Sequence, residues 1–539
     1  WILQDRHHSS DIMEHVHDRQ RWVVLALTCV LLTAVYYCYD NPAALKTQLQ
    51  QHLSPSSADE FELDFNLLYT FYSVPNIVLP FVGGALIDRL GTNEALMIFC
   101  AFVPVGQTVV AMGSALTSTK VMLVGRFVFG LGGECLTVTQ EAIVTRWFKH
   151  DELAFALGLT LGLGRLGSVL NNEVSPTVAN STNVTIALLV GVLVCIVSTI
   201  AGAFVVLLER RAALRQIKRE PSRSHSVRMS DVRHFSSAFW LLSCSCFVVY
   251  GCVLPFNNVA SSLLMERDYF RQPPEMCARC GHGAYANIAC TAIAPTCPTV
   301  PPYAWPLPKL SANCTIQHPD DQLLCSTSPP LIDDTGINCD SEAWKRGPLT
   351  QTYCAQKALA TASAATPMSV PFVISGVLSP VLGLAVDRFG HRATLAMVAP
   401  VALSMAHLLL GFTHVSAYVP LVLNGIGYSI FTSVLWPSVP LLVRDDHIGT
   451  AYGVMTSTMN LALAIFPIFV AVVHDHSHRY VPDVEWLFLS LALLGCIIAA
   501  LLHAMDRATG SVLNRAHMSS SPTAPSASPS TREETPLLS

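Results

Sequence analysis

Apolar runs of about 20 residues recur along the whole chain, each long enough to cross a hydrocarbon core of roughly 30 Å as a helix. Twelve can be counted: 22–39, 64–87, 94–113, 119–141, 152–176 and 184–208, then 236–262, 356–386, 393–412, 416–440, 447–473 and 484–505. Lipid offers no partner to a bare backbone, so the runs must be helices that satisfy their own amides. Composition agrees. With 51% hydrophobic and 13% charged residues over 539 positions, the chain carries more apolar surface than a soluble fold of that length hides. The expected fold is an all-α membrane protein.

Positive charge sets the orientation. The linker 209–235 between the two sets of six helices holds Arg210, Arg211, Arg215, Lys218, Arg219, Arg223, Arg228 and Arg233 against Glu209, Glu220 and Asp231, which assigns it to the cytoplasm. An even helix count then places a tail at 1–21, a six-helix bundle at 22–208, a second at 236–505 and a Ser/Pro/Thr-rich tail at 506–539, expected to be disordered, with both termini cytoplasmic. The sequons at Asn180, Asn183 and Asn313 all fall in loops on the opposite, glycosylating side. So does a Pro-rich insertion, 263–355, with Cys277, Cys280, Cys290, Cys297, Cys314, Cys325, Cys339 and Cys354. In an oxidising lumen eight cysteines form a disulfide-stapled module whose pairing the sequence leaves open; Cys277-x-x-Cys280 beside His282 keeps zinc as the rival reading. The chain opens on Trp1 rather than methionine, so native residues are expected to precede it.

The loops after helices 2 and 8 repeat one another. Gly84-Ala85-Leu86-Ile87-Asp88-Arg89-Leu90-Gly91 returns as Gly383-Leu384-Ala385-Val386-Asp387-Arg388-Phe389-Gly390, and Pro80 and Pro380 precede them. Glycines allow close backbone approach in a tight turn, and a carboxylate there can brace the N-terminus of a neighbouring helix. With this repeat the chain resembles the major facilitator superfamily, whose signature Gly-x-Leu-x-Asp-Arg-x-Gly occupies the same loop of each half. The resemblance implies two pseudo-symmetric six-helix bundles rocking about a central cavity, with Asp88 and Asp387 gating it. Other stretches are similar to the lysosomal dipeptide transporter branch: Cys38-Tyr39-Asp40-Asn41-Pro42-Ala43-Ala44-Leu45, Gly125 through Glu134, Trp147-Phe148-Lys149, Leu435-Trp436-Pro437 and Gly449-Thr450-Ala451-Tyr452-Gly453. That branch implies a glycosylated single-pass accessory subunit as partner. The cysteine insertion departs from it, and suggests a chain that carries its own shield against proteases.

Ionisable groups inside the spans are few. Each costs roughly 2.5–3.5 kcal/mol on insertion scales and needs a partner or a wet cavity. Glu134 in helix 4 and Arg165 in helix 5 sit well inside the bilayer, offset in depth by roughly 10 Å, a span that suits a short zwitterion. Arg165 can take a carboxylate by two parallel hydrogen bonds and Glu134 an amino group; the resemblance gives the same two positions to the substrate. The alternative is that the two pair with each other and stitch helices 4 and 5. Arg126 either lines the same cavity or packs. Tyr36, Tyr37, Tyr39, Asn66, Tyr69, Tyr72 and Asn76 suggest a polar aromatic face, with Tyr39 and Tyr69 preferred as ligands by resemblance and Tyr36 and Tyr37 read as interface anchors. The second half offers Glu485 near a helix end, His407, and the amides Asn257, Asn258, Asn424 and Asn460, so charge recognition is assigned to the first half. His474, His476 and His478 read as a solvated surface rather than a metal site.

No nucleotide loop, nucleophile elbow or metalloprotease motif is present, which argues against an enzyme, a cofactor or a nucleic-acid partner. Glu533, four residues before Leu537-Leu538, resembles an acidic dileucine sorting signal read by adaptors, which implies a lysosomal or late endosomal membrane. The leading function is facilitated export of dipeptides, a uniport. Proton-coupled transport of amino acids or organic anions and a non-transporting membrane sensor are the alternatives.

Overall fold

A computed structural model of the chain describes residues 2–53, 58–148, 152–216, 229–269, 311–315, 330–331, 339, 342–347, 350–413, 415–477 and 479–515. Twelve long helices account for nearly all of it: α1 (Ile2–Tyr39), α2 (Ala58–Ser73 continued by Leu79–Leu90), α3 (Thr92–Ala115), α4 (Thr119–Phe148), α5 (Leu153–Ser181), α6 (Val184–Gln216), α7 (Ser237–Leu264), α8 (Gln351–Phe389), α9 (Arg392–Phe412), α10 (Tyr418–Leu442), α11 (Ile448–Ser477) and α12 (Glu485–Ala508). Eleven are long and apolar enough to span a membrane; α2 is the twelfth, bent by 48° where Pro75 and Pro80 remove backbone donors. Their outward residues, among them Leu193, Val197, Phe204, Val377, Val381, Ile468 and Ile497, are apolar and exposed, the surface that lipid covers.

The helices form two bundles. In the first, α3 packs on α4 and α6, and α1 on α5 and α6; in the second, α9 packs on α10 and α12, and α7 on α11 and α12. The halves meet along two seams, α2 with α11 and α5 with α8. Glycine makes both seams possible: a Cβ on Gly84 would lie 2.2 Å from the Gly449 carbonyl oxygen, and one on Gly383 would lie 2.5 Å from that of Ala154. The closing glycines of the repeat end α2 and α8 in the left-handed region, Gly91 at φ 99° and Gly390 at φ 71°. The face carrying these turns, the α6–α7 linker and the end of α12 is called the terminal face below.

Several domain limits expected from sequence move. The N-terminal stretch 1–21 is not a separate tail but the start of α1 from Ile2, and α6 runs on to Gln216 before a 3-10 turn at Met229–His234. The start of the insertion belongs to the second bundle: after a π turn at Met265–Tyr269, Glu266 accepts the Tyr480 and Val481 amides at 2.7 and 3.2 Å, and buried Arg267 donates to the Leu410 and Thr413 carbonyls. The segment 506–515 is ordered, against the expectation of a disordered tail from Asp506. Leu513 is buried and its amide donates to Asp506, while the Arg392 and His391 amides donate to the Leu513 and Asn514 carbonyls at 3.2 Å each. Capping the open start of α9 orders it.

Within the insertion, β1 (Ser311–Thr315) pairs in parallel with β2 (Pro330–Leu331), a small addition to an otherwise helical fold. A disulfide joins Cys339 to Cys354, so the far end of the insertion is tied to α8. Asn313 and Cys314 lie in β1 with their side chains outside the described part; Cys277, Cys280, Cys290, Cys297 and Cys325 lie outside the described residues, as do His478, Glu533, Leu537 and Leu538. Asn180 sits in the last turn of α5, where its carbonyl oxygen accepts from Gln48 at 3.1 Å, and Asn183 caps α6 through the Ile186 amide at 2.9 Å. Both are on the face opposite the termini.

Candidate functional site

Glu134 and Arg165 make no ion pair with each other. The Tyr72 hydroxyl of α2 donates to Glu134 Oε1 at 3.0 Å, and the Asn460 amide of α11 bears on the same carboxylate. Arg165 reaches across the seam into the second half, donating to Ser375 Oγ of α8 and to the Tyr428 hydroxyl of α10 at 2.8 Å, with its guanidinium 4.9 Å from the Tyr428 ring centre. Each charge is thus held by neutral groups, and both side chains remain only half-buried. Tyr36, expected to be an interface anchor, faces both Arg165 and Glu134 instead.

Arg126 does not open into this space. It is fully buried, and its donors go to the Leu68, Cys38 and Tyr39 carbonyls at 3.3, 3.1 and 3.1 Å. Four rings surround it, Tyr39, Tyr69, Tyr72 and Phe129, at 5.5, 5.3, 5.3 and 5.6 Å. Of the two alternatives for Arg126, packing is the one this conformation displays. Tyr39 and Tyr69 meet edge to face in its cage, and Tyr72 is shared between the cage and the Glu134 carboxylate. Next to it a buried amide network ties the short helix after α1 (Asn41–Ala44) to α3 and α5: Gln107 donates to Asn41 at 2.8 Å, Asn41 to Asn171, and Ser175 to Asn171 at 2.6 Å. Tyr37 joins through Ser175 at 3.1 Å, so it too is a core residue rather than an anchor. In the turn after α1, burial pushes the Asp40 carboxyl above the ordinary carboxylate range, against the opposing pull of Ser168 and Arg126.

At the terminal face, both repeat aspartates do what a carboxylate at a helix start does. Asp88 accepts the Gly449 amide at 2.9 Å, the Thr450 amide at 2.6 Å and the Thr450 hydroxyl at 2.5 Å, capping α11. Asp387 accepts the Ala154 and Phe155 amides at 3.0 and 2.9 Å, capping α5. The adjacent Arg89 and Arg388 are exposed, and the cation beside Asp387 is Arg392 at 3.3 Å. Further bonds across the seams run from the Phe81 amide to Ser457 Oγ at 3.1 Å and between Thr145 and Tyr452 at 2.7 Å. All these cross-half bonds lie between the terminal face and the level of Arg165, so the two halves are joined on that side.

The two titratable groups that the sequence offers in the second half pair with each other. His407 Nδ1 and Glu485 Oε2 are 2.8 Å apart, both fully buried, with Cys252 Sγ 3.4 Å from the other ring nitrogen and Phe488 stacked on the imidazole. The pair is sealed inside its own bundle. Glu141, at the end of the fourth apolar run, escapes a reading of the sequence because it sits where a span end would excuse a charge; α4 in fact continues to Phe148. Among the described residues no cluster of His, Cys, Asp and Glu is arranged to hold a metal ion.

The sequence profile of the Major Facilitator Superfamily matches residues 16–269 and 327–533. The chain belongs to this superfamily. It is 30% identical over 505 residues to the human lysosomal dipeptide transporter MFSD1, covering 92% of this chain and 88% of the relative, and 29% identical over 506 residues to the zebrafish (Danio rerio) protein of the same name. Among solved structures, the proton:xylose symporter XylE superposes with a TM-score of 0.59 at 9% identity over 91% of this chain and 96% of that one. The transporter FucP in its outward conformation superposes with 0.54 at 13% over 90% and 99%. These likenesses establish the two-bundle fold, and the relatives are transporters rather than enzymes. The superfamily chain described here is a multi-pass membrane transporter.

Proposed function

We propose that the protein exports dipeptides, or zwitterions of that size, from a lysosomal or late endosomal lumen to the cytosol by facilitated uniport. The observation that carries this is the separation of Glu134 from Arg165, two opposite charges that both bear on Tyr36 and are bonded to hydroxyls rather than to each other. A peptide carboxylate exchanges for the Ser375 and Tyr428 hydroxyls on Arg165, and its ammonium group for Tyr72 on Glu134, so neither charge is stranded when the site is empty. Because Arg165 holds the second half while empty, solute arrival breaks a bond across the halves, which links occupancy to rocking.

The terminal face is read as cytoplasmic from its arginines and from the sequons opposite. The halves joined there then make this the lumen-open state. The 30% identity to a lysosomal dipeptide transporter supports both solute and compartment. The insertion is read as a disulfide-bonded, glycosylated shield, which the relatives' compartment would require of a chain without an accessory subunit, and the terminal dileucine as the sorting signal.

The test replaces Leu537 and Leu538 by alanine to bring the protein to the cell surface, and follows labelled dipeptide uptake from acidic medium. Saturable uptake is expected, uncompeted by free amino acids and lost in Glu134→Gln and Arg165→Ala at matched surface levels. Uptake unaffected by both substitutions would remove the assignment.

A further inference from the structure

Glu141 lies on α4 two turns beyond Glu134, about 10 Å closer to the terminal face on the same side of the helix. It is 9% exposed, its Oε2 is wholly buried, and among the described residues it has neither a hydrogen-bond nor an ion-pair partner. The titratable groups that face it are Glu134 on its own helix, Cys246 on α7 and Tyr452 on α11, and none is a cation. Nor does either neighbour have a donor to spare. The Tyr452 hydroxyl is engaged with Thr145 at 2.7 Å and the Trp436 carbonyl at 3.2 Å, and the Cys246 thiol points to the Met455 carbonyl at 3.8 Å.

The position of this carboxylate matters as much as its isolation. α4 belongs to the first bundle, α7 and α11 to the second, so the enclosure exists only while the halves are closed at the terminal face. When that face opens, water reaches the side chain. An ionised carboxylate enclosed without a partner is among the least favourable arrangements in a protein interior, and more so in a membrane. A multivalent metal ion is not the missing ligand, since the described residues supply no set of ligands for one.

We propose that Glu141 is a proton-binding site of the terminal gate. One proton joins the carboxylate to give the neutral acid each time the halves close there, and leaves to water each time they part. Because it is taken from and returned to the terminal side, the proton does not travel with the solute; it makes closure, and hence the return of the empty carrier, depend on pH at that side. The inference rests on the alternating-access reading but not on which solute moves.

The experiment uses the full chain in proteoliposomes with Ser457→Cys, a reporter on α11 at the Phe81 contact inside the gate. A membrane-impermeant maleimide is applied at the terminal side over a pH series without solute, and the label at that one cysteine is read by mass spectrometry. The same reporter in Glu141→Gln corrects for the reactivity of the thiol itself. The ratio of parent to Glu141→Gln labelling is expected to rise about tenfold per pH unit above the titration point, the slope for one proton per closure, and the infrared carbonyl band of a protonated acid to be present in the parent and missing in the variant. Glu141→Asp, which keeps the acid, retains the slope. A flat ratio, or the same infrared band in both proteins, overturns the proposal. Dipeptide counterflow measured on the same vesicles separates the two readings: a sloped ratio without counterflow removes the solute assignment and leaves the proton site standing.

Discussion

The two repeat turns, which the proposed mechanism uses as gate latches, share one eight-residue pattern and end differently. Asp88 reaches three donors at the start of α11 and stands beside no described arginine bond, whereas Asp387 reaches two amides of α5 and also the guanidinium of Arg392, itself only 4% exposed at the side chain. Behind Arg392 lies the segment 509–515, which has no counterpart at the first latch among the described residues. One motif therefore serves two devices: the first is a carboxylate on a helix start with the His447 imidazole nearby, the second a carboxylate that also neutralises a buried guanidinium. Breaking the first should move the gate, and breaking the second should cost the fold as well.

The largest effect is expected at Asp387. Asp387→Ala strands the Arg392 guanidinium, and removing one partner of a buried pair costs about 3–5 kcal/mol. Thermal unfolding of the purified protein in detergent should show the loss, and Arg392→Met added to Asp387→Ala should restore most of it. If the double variant is no more stable than the single, Arg392 is not the cause. Asp88→Ala, like Asp387→Ala, removes charge-assisted bonds to a helix start but strands no buried guanidinium, so its midpoint should change less while maleimide labelling at a Ser457→Cys reporter rises at least tenfold. Equal destabilisation in both alanine variants would erase the distinction between the latches.

The seam glycines sharpen the same comparison at smaller cost to charge. Gly84→Ala places a methyl 2.2 Å from the Gly449 carbonyl and Gly383→Ala one 2.5 Å from that of Ala154, both against backbone that cannot rotate away. Each should raise gate labelling severalfold with intact charges, and the two effects should be of similar size because this part of the device is shared. A marked inequality would mean that the backing of the second latch reaches as far as the seam.

Much of this device is legible in the amino-acid sequence. The twelve spans, the paired turns and the brace by Asp88 and Asp387 follow from apolar length and from what glycine and a carboxylate do at helix ends, all local properties. Glu134 and Arg165 stand out for a similar reason, since charge is conspicuous in an apolar run. What stays hidden depends on partners far away in the chain. Arg126 is as conspicuous as Arg165, yet its three carbonyl acceptors come from α1 and α2 and cannot be read from α4. The pairing of His407 with Glu485, 78 positions apart, is invisible for the same reason, as is the isolation of Glu141, because lack of a partner is a property of everything around a residue. The ordered segment 509–515 escapes notice because its short polar run reads like the tail that follows, and its docking rests on one leucine, one asparagine side chain and a few backbone groups.

That segment gives the smallest effect and the finest test of the asymmetry. Leu513 is 1% exposed, its carbonyl takes the Arg392 amide, and the Asn514 side chain takes the Thr394 amide at 3.2 Å, so the start of α9 is capped from outside the bundle. Asn514→Ala removes one such cap, worth about 1 kcal/mol, and Leu513→Ala adds the loss of a buried side chain, about 2–3 kcal/mol. If the segment backs only the second latch, Leu513→Ala lowers the unfolding midpoint of the parent but adds little to Asp387→Ala plus Arg392→Met, in which the pair it supports is already gone, and adds fully to Asp88→Ala, which is elsewhere. Full additivity with both would reduce the segment to a general staple on α9 and α12 and leave the two latches different only in their cation.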